Sequence, residues 1–216
     1  MDEAFENNEI DAFIIASSTS THADLIEKCA HVGKPVFCEK PIDLSLDRAL
    51  ACAKAVEESG IVCMLGFNRR FDPHMTSLKN KVDANIIGLI QSLIITSHDP
   101  EPPSMDYIAG SGGLFHDMMI HDFDLARFYA GSDQFESVFA TGSNINDKKF
   151  DKIKDFELAT SVMKTKKGVQ CIITNSRHCS FGYDQRIELF GNKGMIISDN
   201  KRELETTIHT GSSTNI

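Results

Sequence analysis

The sequence predicts two sheets in tandem: an α/β unit with a parallel sheet, then an α+β unit with a mixed, largely antiparallel open sheet and a helix packed on one face. Three observations carry this. Short apolar runs alternate with segments of helical period from Ile10 to Leu65. Strand-like runs separated by turn signals fill much of the stretch from Ser137 to Ser198. Between them, Gly112 to Arg127 reads as a helix opened by a glycine pair.

Ile10 to Ala16 is apolar without a helical period and ends in a Ser/Thr cluster, as a buried parallel strand does. Thr21 to His31 then places Ala23, Leu25, Ile26, Cys29 and Ala30 at helical spacing, with Ser20 or Thr21 as N-cap and Gly33 as C-cap. Lys34 to Cys38 is a second short strand. Ser45 to Glu58 is a second helix, capped by Ser45 and closed near Gly60, and Ile61 to Leu65 is a third strand. This alternation implies parallel pairing with right-handed crossovers. Ligands in such sheets bind beyond the carboxyl ends of the strands. The loops Ser17 to His22, Glu39-Lys40-Pro41 and Gly66 to Arg70 therefore become candidates, and all three are polar.

On the central helix, Asp117, His121 and Asp124 fall at i, i+4 and i+7, one polar stripe among Met118, Ile120, Phe123, Leu125, Phe128 and Tyr129. Spacing alone leaves three readings open: buried polar groups paired with each other, a metal site, or acid–base chemistry. The metal reading is the weakest, because His116 and His121 are five apart and point to different faces. A carboxylate one turn from a histidine fixes its tautomer and tunes its pKa, as a proton-transferring imidazole needs.

Further on, Leu89 to Ser97, Ser137 to Ser143, Leu158 to Thr165, Val169 to Asn175, Gln185 to Phe190 and Met195 to Ser198 read as strands, with Lys166-Lys167-Gly168 and Asn192-Lys193-Gly194 as turns. The net charge of −9 argues against nucleic acid or an anionic membrane as partner. No apolar run reaches the roughly 18 residues of a membrane span. Six cysteines without a CxxC pair, mostly inside apolar runs, read as core residues of a reducing compartment, the cytoplasm by default.

Three motifs in order, Gly33 to Pro41 (GKPVFCEKP), Gly66 to Pro73 (GFNRRFDP) and Asp117-x-x-x-His121-Asp122-x-Asp124, resemble the Gfo/Idh/MocA family of NAD(P)-dependent oxidoreductases along essentially the whole chain. The resemblance implies an incomplete Rossmann-type domain over residues 1–70 and a substrate-binding and oligomerisation domain over 71–216. It implies NAD or NADP as cofactor and oxidation of a ring hydroxyl of a cyclic polyol or sugar, myo-inositol-like, to a ketone. Lys40, Asp117 and His121 match the catalytic set: His121 would take the hydroxyl proton, Asp117 would orient it, and Lys40 would stabilise the developing oxyanion. Ser17, Thr19, His22, Glu39, Lys40 and Pro41 match loops along the cofactor. Arg69, Arg70, Asp124 and Tyr183 match positions near the polyol, although Phe181 sits where inositol-oxidising members commonly have Tyr. The second sheet would form a homo-oligomer interface, and no metal is implied.

The family's opening strand, its Gly-x-Gly-x-x-Gly turn, the following acidic residue and its long C-terminal helix find no match in these 216 residues. The expectation is therefore an internal portion, a truncated gene product or a shortened paralogue. Its alternative role is that of a catalytically silent, oligomer-forming or binding protein.

Overall fold

The computed structural model describes residues 2–200. A short helix, α1 (Asp2–Glu6), precedes β1 (Phe13–Ile15), α2 (His22–His31), β2 (Val36–Cys38), α3 (Leu46–Ser59) and β3 (Cys63–Leu65). The three strands pair in parallel in the order β1-β2-β3, with Ile15 opposite Cys38 and Cys38 opposite Leu65. Ile15, Val36 and Cys38 pack on Ala23, Ile26, Cys29 and Cys52 of α2 and α3. A buried Ile or Val contributes about 1.5–3 kcal/mol, so these few contacts bind the crossovers to the sheet. Burial pushes the thiols of Cys29 and Cys38 up to about 11 and about 12, and all six cysteines are free.

The caps follow the sequence in part. Ser45 Oγ accepts from the Arg48 N–H, and Gly60 closes α3 at φ 71°. Thr21 does sit at the N-cap of α2, but neither it nor Ser20 caps with its side chain. The Thr21 hydroxyl instead donates to the Ser18 carbonyl at 2.8 Å and lies 2.6 Å from Ser17 Oγ, tightening the loop after β1.

The second unit contains α4 (Pro73–Asp83), β4 (Ile90–His98), α5 (Met105–Gly110), a π-helical turn (Phe115–Met119) running into α6 (Ile120–Ala130), β5 (Phe135–Ser143), α7 (Lys149–Lys152), β6 (Leu158–Thr165), β7 (Gln170–Ser176), β8 (Asp184–Gly191) and β9 (Gly194–Ser198). Its six strands run β5-β6-β7-β4-β8-β9; only β4 and β7 are parallel. One face carries Leu93, Ile95, Ala159, Met163, Cys171, Ile173, Ile187 and Leu189, packed under Leu114, Met118, Met119, Leu125, Ala126 and Tyr129. On the other face Phe139, Val162, Ile172 and Ile197 are exposed. Among the described residues no helix is long and apolar enough to cross a membrane.

The regular helix expected over Gly112 to Arg127 is corrected. Gly112 and Gly113 both have φ near +80° (83° and 82°), a π-helical turn occupies Phe115–Met119, and from Ile120 the helix runs on as α. A Cβ on Gly113 would lie 2.6 Å from Asp155 Oδ1, which accepts the Leu114 N–H at 2.8 Å. This tight approach pins the chain where the wide turn begins.

Candidate active site

The three loops at the carboxyl ends of β1, β2 and β3 converge as the parallel sheet dictates. Glu39 N–H donates to the Ile15 carbonyl and Gly66 N–H to the Cys38 carbonyl, continuing the ladder past the strand ends. The buried His22 ring lies between two carbonyl oxygens, with Nδ1 2.7 Å from Pro41 O and Nε2 3.0 Å from Ser17 O. It thereby fastens the first loop to the second. A cleft of about 690 Å³ is lined by Ser17, Thr19, His22, Glu39, Lys40 and Pro41, with Tyr107 and Asp117 on its far wall. A smaller cavity of about 350 Å³ adjoins it, sharing Lys40, Tyr107 and Asp117 and adding Arg69, Asp99 and His121.

At the seam, Lys40 Nζ donates to the Asp117 carbonyl at 2.7 Å and to Asp117 Oδ1 at 3.1 Å. Tyr107 Oη donates to the same Oδ1 at 2.9 Å, and Arg177 approaches Oδ2 at 3.4 Å. With its carboxylate so engaged, Asp117 makes no hydrogen bond to His121. The π-helical turn breaks the i, i+4 geometry that an α-helix would give the two side chains.

His121 is instead packed edge-on against Phe67, and its Nδ1 is buried without a protein partner. Burial pushes the imidazole down to about 4 from 6.5, helped by the positive charges of Arg69 and Lys40 and opposed by Asp117. It is therefore neutral at neutral pH and able to accept a proton.

Asp122, buried beneath, holds the floor. It accepts from Arg69, from Ser97 Oγ at 2.8 Å and from Asn175 Nδ2 at 2.7 Å. Burial still leaves its pKa raised, against the opposing pull of Arg69 and these hydrogen bonds.

Residues 75–197 match the family model of the GFO/IDH/MocA C-terminal domain, and residues 1–67 match that of the oxidoreductase family with an NAD-binding Rossmann fold. The chain belongs to the Gfo/Idh/MocA oxidoreductase family. It is 47% identical over 203 residues to the inositol 2-dehydrogenase of Rhizobium meliloti (strain 1021), covering 94% of this chain and 61% of that protein. It superposes on a myo-inositol dehydrogenase from Corynebacterium glutamicum ATCC 13032 with a TM-score of 0.88 at 44% identity, over 97% of this chain and 62% of the other. With a scyllo-inositol dehydrogenase from Lactobacillus casei, solved with bound NAD(H) and scyllo-inositol, the TM-score is 0.84 at 30% identity, covering 96% and 63%. The chain thus spans about 60% of the length of these Gfo/Idh/MocA relatives.

Within the Gfo/Idh/MocA frame, Lys40, Asp117, His121 and Arg69 meet at one cavity, and the six cofactor-loop residues share the neighbouring cleft. Arg70, Asp124 and Tyr183 line neither. Arg70 and Asp124 form a two-pronged ion pair at 2.7 and 2.5 Å, and the Arg70 guanidinium lies over the Phe128 ring. Tyr183 is 68% exposed in the loop before β8. Three participants escaped the sequence reading: Tyr107, Asp99 and Arg177. Tyr107 and Asp99 stand in a stretch rich in polar residues and proline, without period; Arg177 follows a strand, where an arginine is ordinarily a surface group.

The residues present fit the reacting end of a nicotinamide cofactor. A partly buried, uncharged imidazole lines a polar cavity next to an ammonium group, and an open cleft leads away over the strand ends.

Proposed function

We propose that this chain carries the reacting part of an NAD(P)-dependent dehydrogenase that oxidises a ring hydroxyl of a cyclic polyol or sugar, myo-inositol-like, to a ketone. The observation that carries this reading is His121: a neutral imidazole lining the same small cavity as Lys40 and Asp117. The cofactor, NAD or NADP, supplies the hydride acceptor when bound. His121 removes the hydroxyl proton as the carbonyl forms, and the Lys40 ammonium, held by Asp117, steadies the negative charge that develops on oxygen. Arg69 and Asp99 offer the ring's other hydroxyls a donor and an acceptor. Ser17, Thr19, Glu39 and Pro41 border the cofactor, with His22 bracing their loops. Arg70, Asp124 and Tyr183, which line neither cavity, are kept on the family resemblance as candidates for contacts at the polyol's rim.

Support for the substrate class comes from the inositol dehydrogenases named above. Residues 1–70 and 71–216 are taken as the cofactor and substrate domains, separated after the third loop. The free thiols fit the cytoplasm, and the exposed face of the second sheet fits a homo-oligomer contact. That same face supports the second reading, an oligomer-forming protein without catalysis. Titrating myo-inositol and scyllo-inositol into the protein while following the His121 ring resonances tests the substrate assignment. Saturable shifts confined to His121 and its neighbours are expected; resonances indifferent to both polyols would sink it.

A further inference from the structure

Arg177 is the largest fully buried side chain of the described residues, and nothing in the reaction proposed above uses it. Placing a guanidinium inside a protein costs several kcal/mol unless carboxylates surround it. Two carboxylates do: Asp117 Oδ2 at 3.4 Å and Asp155 Oδ2 at 3.8 Å. Its backbone is fixed as well, since the Arg177 N–H donates to the Glu157 carbonyl at 2.8 Å. The Glu157 carboxylate in turn gathers the N–H groups of Ile145, Asn146 and Asp147.

The geometry points to Arg177 as a positioning residue, which together with Asp155 holds the Asp117 carboxylate against Lys40. The two carboxylates play different parts. Asp155 uses Oδ1 to fix the Leu114 N–H, at the start of the π-helical turn that carries Asp117, and turns Oδ2 toward Arg177. Arg177 therefore joins the backbone anchor of that turn to the carboxylate the turn presents. Asp117 Oδ1 is left for Lys40 and Tyr107 on the cavity side, while Oδ2 is held from behind. Without Arg177 the carboxylate loses its hold at Oδ2 and is kept in place only by Tyr107 and Lys40 on the cavity side, which loosens the Lys40 contact. The purpose of this arrangement rests on the dehydrogenase reading; the arrangement itself does not.

Competitive acylation of lysines, quantified by mass spectrometry on the full chain, tests it without requiring turnover. Its failure is therefore separable from failure of the proposed activity. In Arg177→Met, Lys40 labelling is expected to rise several-fold while Lys81 and Lys164, distant surface references, stay unchanged. Arg177→Lys, which restores a positive charge, is expected to bring Lys40 back toward the wild-type rate. Should Arg177→Met fail to fold, Asp155→Asn decides: it retains an acceptor for Leu114 but removes the charge facing Arg177, and is expected to raise Lys40 labelling to a smaller extent. Unchanged Lys40 labelling in the folded variants, an equal rise at all three lysines, or equal labelling in the Met and Lys variants would overturn the assignment and leave Arg177 a core ion pair only.

Discussion

At the scale of single residues, the site depends on an imidazole kept neutral and a carboxylate kept busy. The folded His121 has its pKa below the unfolded value, about 4 against 6.5, so on acidification the unfolded chain takes up the proton first. The stability that His121 contributes is whole above about 6.5, declines below that, and is gone once the pH has passed its folded value. NMR titration of the histidine ring protons is expected to place the His121 midpoint near 4, well below the ordinary value. A midpoint at 6.5 would mean that the ring is solvated rather than buried. Asp117 and His121 were recognisable as a pair from their spacing, yet they do not bond to each other. The partners that Asp117 does have, Lys40 and Arg177, are 77 and 60 residues away, and no local period reports a contact of that kind.

At the scale of elements, legibility followed the periodicity of the residues. The strand at Leu158–Thr165 coincides with its sequence pattern, and those of β4, β7 and β9 fall within a residue, because alternation against one buried face is a strong local signal. Helix α4 went unassigned despite Asp72, whose carboxylate caps it by accepting from His74 and Met75 N–H, and despite Pro73 in its first turn. The π-helical turn leaves no side-chain period to read; it follows from Gly112, Gly113 and the Asp155 anchor. Gly113→Ala puts a side chain at φ 82° and a methyl 2.6 Å from Asp155 Oδ1. Strain of this kind costs about 1–3 kcal/mol, with displacement of Asp155 added to it. A drop of several degrees in the melting temperature is expected, larger than for Gly168→Ala, where nothing lies within 4 Å of the added carbon. Equal losses would show that the Gly113 to Asp155 approach is unimportant.

At the scale of the whole molecule, two sheets each leave a face uncovered. Ile14 and Met64 are 80% and 41% exposed on the parallel sheet, which ordinarily has helices on both faces, and β1 is an open edge among the described strands. The second sheet exposes Phe139, Val162, Ile172 and Ile197. Such patches drive association. Sedimentation of purified protein at micromolar concentration is expected to show dimers or larger species, and a single monomeric boundary would contradict this. The overall plan of two sheets, the second with a helix packed on one face, was visible in the sequence, because burial patterns survive without their partners. The meeting of Lys40 with Asp117 came through the family resemblance, since neither residue signals the other.

The central claim is that His121 is the proton acceptor of a polyol dehydrogenase site, and it meets its most direct test in steady-state oxidation of myo-inositol at high concentrations of NAD⁺ and of NADP⁺, comparing the wild type, His121→Ala and Asp122→Asn. The account predicts turnover by the wild type and a loss of roughly 10²–10⁴-fold in a folded His121→Ala, as for a missing general base. Asp122→Asn, beneath the cavity, is expected to lower the melting temperature more than the turnover. No turnover by the wild type with either cofactor, or near-normal turnover by His121→Ala, would contradict it.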